Sequence, residues 1–452
     1  MSLTSLLNIS SSSLLAYQQA LSVTSNNIAN ANNANYSRQK VVLSANTSNS
    51  GKTGILGAGV TMQNVTRVKD NLIDSQLRQY YSQNSSAAKQ STYLSQVESL
   101  TSEPGEQGLS SLMNKFYSSW NDLSVNPESV ALRQSVLQST QQVSNKLQGL
   151  YEGIQRMKPD LMSEATSTVN SVNDNLKTIQ TLNKQIFEAK ASGNDANDLM
   201  DKRDEAINTL SKSVNINVSF DKENTATISL GGIIAVDKFN VLQFKAVEEN
   251  GQMRIKTTDS NNSATIQGGD LGAVSQLYNT VLPGLTKKLD DTGRGIVDSV
   301  NKLHSSGYTN QKPPTTGVPF FEGYSNGILK INSAITGDLK NIAISADGSS
   351  ANNSIALQIA AAKDTKLDNG LTVSDTYAGF VNDIGTGINS ADQSTESSSS
   401  VIMQLENQKA SYSGVSVDEE MVNILKFQRS YDASAKLIKV ASDLFDALLQ
   451  AV

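Results

Sequence analysis

Apolar residues recur at intervals of seven near both ends of the chain. The N-terminal repeat consists of Leu7, Leu14, Leu21 and Ile28, with Tyr17 on the neighbouring track. The C-terminal repeat consists of Val417, Ile424, Tyr431, Ile438, Phe445 and Val452, flanked by Met421 and Leu449. A seven-residue apolar repeat forms a seam along one side of a helix, and such a seam is stable when another helix covers it. We therefore predict terminal helices that pair with each other or with copies of themselves, a pattern that favours assembly over catalysis.

The first half of the chain has mainly helical spacing. One helix is predicted over residues 3–31, and it should stop at Asn30–Asn35 because Asn tolerates left-handed backbone conformations and competes with the helical ladder. Residues 44–59, which contain Gly and Ser, are predicted to form an extended connector. Helical spacing then resumes near Val65 and continues to Leu210.

Proline-containing positions divide this helical half. Pro104-Gly105 and Asn126-Pro127 are predicted as breaks between helices. Pro159 is predicted to kink or join a long helical region, because proline lacks the amide hydrogen that a helix interior requires. The half is therefore predicted to be a bundle of several helices.

The hydrophobic pattern changes where apolar and polar residues begin to alternate, over residues 214–220. This alternation and the Gly-Gly turn that follows predict a small antiparallel β unit over 213–265. Helical spacing then returns, is interrupted by a loop-rich stretch at 307–350, and continues from 375 to the end. The order of elements predicts a mainly α fold with a small β insertion (α+β), built as an elongated, split helical bundle with paired terminal coiled-coil helices.

In this order of elements, the assembly helices and the helical bundle each draw one half from the start of the chain and one half from its end. The β insertion lies between the halves of the bundle, so we expect five consecutive segments. They are an N-terminal assembly helix and turn (1–43), a linker with the first half of a helical bundle (44–212), a small antiparallel β domain (213–265), the second half of the bundle (266–411) and a C-terminal assembly helix (412–452). Because isolated helices of this length are marginal in water, we expect the termini to be mobile in the monomer and ordered on assembly.

Composition narrows the classes of function. The 452 residues are 38% hydrophobic and only 5% aromatic, which suits slender helical structure and polar interfaces better than one large core. The net charge of −6 argues against nucleic acid as a partner, since phosphate contacts need clustered Lys and Arg. The sequence has no apolar run long enough to predict a membrane span. It has no cysteine, which excludes thiolate zinc sites and thiol nucleophiles.

Three features resemble chemical motifs, but none is complete. Ser50–Thr53 matches the end of a phosphate-binding loop, yet Asn46 occupies the position of its first glycine. The acidic stretch Asp195–Asp204 lacks the glutamate of a calcium loop, with Ala206 in its place, and is predicted instead to cap a helix start. His304, the only histidine, is predicted to pack at a helix end, because one histidine cannot build a multi-histidine metal site. We therefore predict no catalytic residues, no cofactor and no metal site.

Short motifs at both ends resemble those of bacterial flagellar axial proteins. Asn27-Ile28-Ala29-Asn30 matches a motif that rod, hook and junction proteins share, and Tyr36-Ser37-Arg38-Gln39 resembles the narrower pattern of the FlgK family at the hook–filament junction. The C-terminal stretches Asp418-Glu419-Glu420 and Phe427-Gln428 match the same family. Asn35 stands where the family usually has glycine, and Asn is the next-best residue for a left-handed turn.

The resemblance implies an extracellular structural protein of the bacterial flagellum, exported unfolded by the flagellar type III apparatus without a cleaved signal peptide. It implies a homo-oligomer in a ring or helical arrangement that contacts hook protein and the second junction protein, hook-associated protein 3. It also implies an export chaperone on the C-terminal helix, and neither nucleic acid nor membrane as a partner. The two terminal seams would form the assembly interface. The family-motif turn would comprise Asn27, Asn30, Asn35, Tyr36, Ser37 and Arg38.

Three alternatives stay open on the sequence alone. Another flagellar rod, hook or junction protein would share the Asn-Ile-Ala-Asn motif but not Tyr36–Gln39 or Asp418–Glu420. A secreted coiled-coil effector or adhesin would not need complementary termini, so it would tolerate the loss of residues 1–35. An enzyme would need a nucleophile, a base and an orienting group, which no spacing in this sequence assembles.

Overall fold

The fold is seen in a computed structural model. It describes residues 3–49, 55–101, 107–368 and 370–450. The Ser50–Thr53 motif, the Pro104-Gly105 break and Val452 of the C-terminal repeat lie outside these ranges. None of the helices in the described ranges has the length and apolar character that a bilayer crossing requires.

Helices account for most of the described chain, and the mainly α class with a small β insertion is confirmed. The helices are α1 (Leu3–Ala29), α2 (Asn71–Thr101), α3 (Leu109–Val125), α4 (Val130–Ala191), α5 (Asn197–Ser213), α6 (Gly269–Gln276), α7 (Leu282–His304), α8 (Ser333–Gly337), α9 (Ser354–Ala361), α10 (Val373–Ser413) and α11 (Val417–Gln450). A π-helical turn, Leu277–Val281, joins α6 to α7.

The strands of the described ranges form four small antiparallel sheets. They are β1 (Gln39–Asn49), β2 (Ile55–Arg67), β3 (Ile216–Phe220), β4 (Ala226–Leu230), β5 (Ile233–Val236), β6 (Phe244–Glu249), β7 (Gln252–Thr257), β8 (Ser263–Ala264), β9 (Phe321–Ser325) and β10 (Ile328–Ile331). The sheets are β1–β2, β3–β4–β5, β6–β7–β8 and β9–β10.

The described parts of the segment predicted as an extended connector, 44–49 and 55–59, lie in the paired strands β1 and β2, which we call the hairpin. The prediction that helical spacing resumes at Val65 was wrong, because Val65 lies in β2 opposite Val41 of β1. The hairpin packs on α1. Gly59 approaches α1 so closely that a Cβ atom there would lie 3.1 Å from the Ile9 carbonyl oxygen. Its φ of +91° also favours glycine, so both the contact and the backbone require this residue.

The longest element, α4, runs through most of the body. Its 62 residues span about 93 Å at 1.5 Å per residue. The Ser129 hydroxyl caps its start by accepting a hydrogen bond from the Leu132 amide. The helix continues through Pro159 and does not end there. Because its buried residues recur at helical spacing, one face of α4 packs on α2, α3 and α5.

Two asparagines of α4 hold the β unit in place. Asn173 donates to the Phe244 carbonyl and accepts from its amide, both at 2.9 Å. Asn183 makes the same pair of bonds with Ala226, at 2.7 and 2.9 Å. Each side-chain amide thus bonds both the backbone carbonyl and the backbone amide of one strand residue. Together the two asparagines hold both three-stranded sheets against α4.

One end of the body has an aromatic core. Trp120 packs edge-on against Phe320 at 5.2 Å and His304 at 6.1 Å between ring centroids. His304 ends α7, as predicted, and is fully buried. Its Nδ1 donates to the Val318 carbonyl at 2.7 Å, while Nε2 accepts from the Ala343 amide at 2.8 Å. Burial lowers the pKa of His304 to about 4, so the ring is neutral.

The terminal helices α1 and α11 pack against each other in antiparallel directions. Asn27, near the end of α1, contacts Glu420, near the start of α11. Tyr17 and Phe427 lie further along the pair, with ring centroids 6.4 Å apart. A second antiparallel pair, α2 with α10, continues from the terminal pair into the body.

Candidate assembly site: the junction turn and the terminal helices

Asn27 is the centre of the turn that joins the terminal helices to the body. Its Oδ1 accepts from the Tyr36 hydroxyl at 2.8 Å and the Gln39 amide at 3.0 Å. Its Nδ2 donates to the Gln39 carbonyl at 2.9 Å and to Glu420 Oε2 at 3.1 Å. Since the side chain is buried and all its bonding positions are used, it fixes α1, β1 and α11 relative to one another.

Arg38 provides the second link to α11. Its guanidinium binds Glu420 Oε1 through Nε at 2.8 Å and Nη2 at 2.7 Å, and Glu419 through Nη1 at 2.9 Å. The Glu420 side chain is nearly fully buried, whereas that of Glu419 is 63% exposed. The Arg38 backbone also donates to the Ser413 carbonyl at 3.0 Å. The turn therefore binds the end of α10 as well as the start of α11.

A charged cluster links the turn and the hairpin to α5. Asp201 accepts from the Ser37 hydroxyl at 2.8 Å and from its amide at 3.1 Å. Arg67, at the base of β2, binds Asp201 at 2.7 Å and Asp204 at 2.9 Å. Lys69 binds Asp204 as well. These side chains are mostly buried, so their charges interact with little screening. We call Asn27, Ser37, Arg38, Arg67, Asp201, Asp204 and Glu420 the junction network.

Electrostatics fix the protonation states of Asp204 and Tyr36 at the junction. Burial raises the pKa of Asp204, but cations that include Arg203 and Lys69 outweigh this, so its pKa lies below the usual range. Burial raises the pKa of Tyr36, and Asp198 nearby raises it further. The carboxylate therefore stays charged and the phenol stays a hydrogen-bond donor near neutral pH.

Two motif asparagines serve the turn through their side chains. Asn30 donates to the carbonyl and side chain of Asn26, at 3.0 and 2.8 Å, which closes the last turn of α1. The expectation that Asn35 adopts a left-handed backbone was wrong, because its φ is not positive. Its side chain instead donates to Glu205 of α5 at 2.8 Å. Asn35 thus adds a contact between turn and body that glycine could not make.

The acidic stretch was predicted to mark and cap a helix start. The helix α5 does begin there, at Asn197, with Asp198 in its first turn, but the predicted side-chain cap was wrong, because Ala196 occupies the N-cap position. Asp195 accepts from the Val65 amide at 2.7 Å, and Asn197 donates to the Val65 carbonyl at 3.0 Å. Asp198 accepts from Gln39 at 3.1 Å. These side chains bind the hairpin instead, which sequence spacing could not show because the partners lie in a distant segment.

The predicted seam residues of α1 border the centre of its packed face. Those residues, all half-buried, are Leu7, Leu14, Tyr17, Leu21 and Ile28. The fully buried positions are Ser10, Ala16, Ala20, Thr24 and Asn27. Asn27 was already part of the family-motif turn, but the apolar repeat missed Ser10, Ala16 and Ala20 because they are small or polar. Small side chains allow the hairpin and α11 to approach the α1 backbone closely, and their spacing of three, four or six residues was the available signal.

The predicted residues of α11 fall into two groups. Ile424, Tyr431 and Ile438 are half-buried along the side of the helix that packs on α1. The exposed group consists of Val417 (46%), Met421 (49%), Phe445 (49%) and Leu449 (65%). Because the two helices are antiparallel, Phe445 and Leu449 lie beyond the described start of α1 at Leu3. The structure therefore places only the middle of this seam against α1.

A further apolar stripe on α11 was missed by the sequence prediction. It consists of Leu437, Val440, Leu444 and Leu448, which are 45–54% exposed. Intervals of three and four residues place them on one face of α11, next to the fully buried Ala441. This spacing was the signal in the sequence, but the seam residues next to it carry a similar pattern. We call this set the outer stripe.

Comparison with known proteins identifies relatives over almost the whole chain. The family model of the flagellar hook-associated protein FlgK helical domain matches residues 94–321, and that of the flagellar basal body rod FlgEFG protein C-terminal region matches 407–451. Flagellar hook-associated protein 1 of Bacillus subtilis is 30% identical, over 96% of each chain. Flagellar hook-associated protein 1 of Salmonella typhimurium is 25% identical, over 99% of this chain and 100% of the relative.

A solved structure shares the fold. The flagellar hook junction protein FlgK from Burkholderia pseudomallei superposes with a TM-score of 0.63 at 14% sequence identity, over 75% of this chain and 100% of that chain. The helical-domain match covers half of the present sequence, and the Bacillus relative aligns along nearly its full length. The chain therefore belongs to the FlgK family of flagellar hook-associated proteins.

Proposed function

We propose that this protein is a structural component of the flagellar hook–filament junction and that its terminal helix pair forms the contacts between subunits. The observation that carries this proposal is the outer stripe: four large apolar side chains on α11, about half-exposed, on a helix whose seam α1 covers only in its middle. A contiguous exposed apolar surface of this kind marks a protein interface.

The proposed occupant of the outer stripe is the terminal helix pair of a neighbouring copy. Because α1 covers only the middle of the seam and leaves the outer stripe open, each pair can bind the next pair in a ring or helix. The junction network then transmits the position of the pair to the body, because it joins both terminal helices to α5 and the hairpin through mostly buried bonds.

The proposed neighbours outside the ring follow from family membership. Relatives are named for the hook and the hook junction. We propose hook protein on one side and hook-associated protein 3 on the other, with an export chaperone on α11 before assembly. Such a chaperone would cover the apolar residues that α1 and a neighbour cover later. We also propose that the protein acts outside the cell, after type III export.

The test of the outer stripe uses charge substitutions on one helix. The variant Leu437→Asp/Leu444→Asp should fold with an intact α1–α11 pair but fail to attach filaments in a strain that lacks its own copy, because charge cannot be buried at an apolar contact. Amide exchange of the purified monomer measures the pair, and electron microscopy counts attached filaments. Gln428→Asp, at an exposed polar position of the same helix, is the matched control and should assemble normally.

Two results would contradict the proposal. Normal filament attachment by Leu437→Asp/Leu444→Asp would show that the outer stripe is not a subunit contact. Loss of α11 protection in the monomer would show that the stripe belongs to the intramolecular packing. Ile438→Asp, on the seam, should by contrast weaken the α1–α11 pair already in the monomer, because that side chain is half-buried against α1.

A further inference from the structure

Four helical segments meet at one level of the body, and contacts between them fix this alignment. The contacts are Gln90–Gln276 (3.0 Å), Lys158 over the Tyr278 ring (5.5 Å), Lys89–Glu164 (2.5 Å) and Ser91–Asp392 (2.5 Å). We call this level the waist. It comprises residues 84–93 of α2, 157–164 of α4, the π-helical turn Leu277–Val281 and residues 387–398 of α10.

At the waist, the fully buried residues of α10 are small or polar, whereas α2 has the buried Tyr93 at the edge of this level. From Tyr377 to Leu405, buried residues of α10 occur at seven-residue intervals: Tyr377, Ile384, Ala391, Ser398 and Leu405. The layers at either end are large, whereas Ala391 and Ser398 are small or polar. Asn84 of α2 crosses this stretch and donates to the Thr395 carbonyl at 2.9 Å and to Ser398 at 3.0 Å. Asn84 is only partly buried, and a polar Asn between two helices fixes their register but stabilises them less than an apolar layer does.

The other two helical segments at the waist have irregular hydrogen bonding. Pro159 lies inside α4 and lacks an amide hydrogen, so one bond of the helical ladder is missing there. The segment Leu277–Val281 has the wider hydrogen-bond spacing of a π-helix. Such turns and prolines are the usual sites at which long helices bend. Every helical segment that defines the waist thus has a local weakness at the same level.

A groove runs beside these weak points. It has a volume of about 890 Å³ and lies between α2, α10 and the segment from α6 to α7. Its lining combines amide and hydroxyl side chains such as Gln83, Gln90 and Thr386 with the apolar Leu94 and Leu285. The Ser82 hydroxyl is buried at its wall with no hydrogen-bond partner among the described residues. The helices on this side of the bundle are therefore not closely packed against one another.

We propose that the waist is a compliant joint, at which the part of the body next to the termini tilts against the aromatic end. Apolar layers above and below keep both parts rigid, and the Asn84 bonds prevent the helices from sliding while they bend. The joint is a property of the single chain. Its test in the monomer is therefore independent of the assembly proposed for the terminal helices.

Amide exchange of the purified full-length chain tests the joint. Residues 387–398 lie in the middle of α10, yet their amides should exchange about tenfold faster than those of 373–384 in the same helix, because local opening is easiest where buried apolar contacts are fewest. The variant Asn84→Leu/Ser398→Leu supplies an apolar layer and should slow exchange at 387–398 about tenfold. Gln404→Leu, at an exposed position of α10, is the control and should change nothing.

Pro159→Ala provides a second, independent variant. It restores the missing amide and should slow exchange in 157–164 without repacking the groove. Uniform protection along α10 in the unmodified protein would overturn the proposal. So would unchanged exchange at the waist in both the Pro159→Ala variant and a folded Asn84→Leu/Ser398→Leu variant.

Discussion

Single side chains at the junction decide how the terminal helices are held. Asn27 joins three elements through four hydrogen bonds, and one of its partners, Glu420, also binds Arg38. Glu420 is almost fully buried, so its charge depends on these partners for stabilisation. Glu419 next to it binds the same arginine from an exposed position. These adjacent carboxylates share one partner, but we expect them to contribute differently to the free energy of unfolding.

Neutralising each carboxylate in turn should reveal how much each one contributes to the free energy of unfolding. Glu420→Gln should lower the free energy of unfolding by about 2 kcal/mol, because it leaves buried donors without a charged acceptor. Glu419→Gln, the matched control, should change it by less than about 0.5 kcal/mol, since exposed ion pairs contribute little. Urea denaturation followed by circular dichroism measures both. Equal effects would show that burial of Glu420 does not govern the link.

His304 should give the protein a pH dependence of its own. Its folded-state pKa of about 4 lies below the ordinary value of 6.5, so between these values the unfolded chain binds more protons. The free energy of unfolding should therefore fall as the pH falls from 6.5 to 4, by up to about 3 kcal/mol from this residue. In His304→Asn this contribution is absent, and the stability gap between the two proteins should narrow toward pH 4. If the free energies of unfolding of the two proteins changed with pH in parallel, this would contradict a lowered pKa for His304.

At the scale of elements, the terminal pair and the hairpin depend on one another. The hairpin packs on α1 through Gly59, and α1 packs on α11 through small buried residues and a half-buried apolar seam. A two-stranded ribbon or a single helix of this length is marginal alone. The hairpin, α1 and α11 are therefore each stabilised by packing against one another.

Deleting residues 1–35 should test this dependence. The deletion removes α1 and most of the turn, so α11 should lose amide protection while α4 and the aromatic end stay folded, because their cores contain no α1 residue. Amide exchange read separately for α11 and α4 measures the outcome. The same data for the intact chain report whether the termini are mobile in the monomer. Unchanged protection of α11 after the deletion would show that the body alone orders it.

At the scale of the whole molecule, the chain leaves the terminal pair, builds the body and returns to the same junction. Bonds from the turn to α5, α10 and α11 gather residues from both ends of the sequence. The waist lies within the body, between this junction and the aromatic end. We propose that a firm junction and a compliant body let the molecule hold its place in a polymer and still adapt its shape. The five-segment division of the chain stays a prediction.

The sequence alone determined the features that depend on local periodicity. Seven-residue repeats predicted terminal helices, and alternation with Gly turns predicted strands after residue 213, because side-chain direction follows directly from helix or strand geometry. The motif around Tyr36–Arg38 indicated the family, and family membership is now shown by relatives that match nearly the whole chain.

Only the tertiary structure decided the features that join distant segments. The β1–β2 hairpin has weak alternation, and its support comes from α1 through Gly59. Arg67 meets Asp201 across 134 residues, and no spacing rule connects charges so far apart. The choice of which apolar track of α11 faces α1 also required the fold, because both tracks satisfy helical periodicity. Local pattern sets the direction of each side chain, but burial and pairing depend on which surfaces the whole chain brings together.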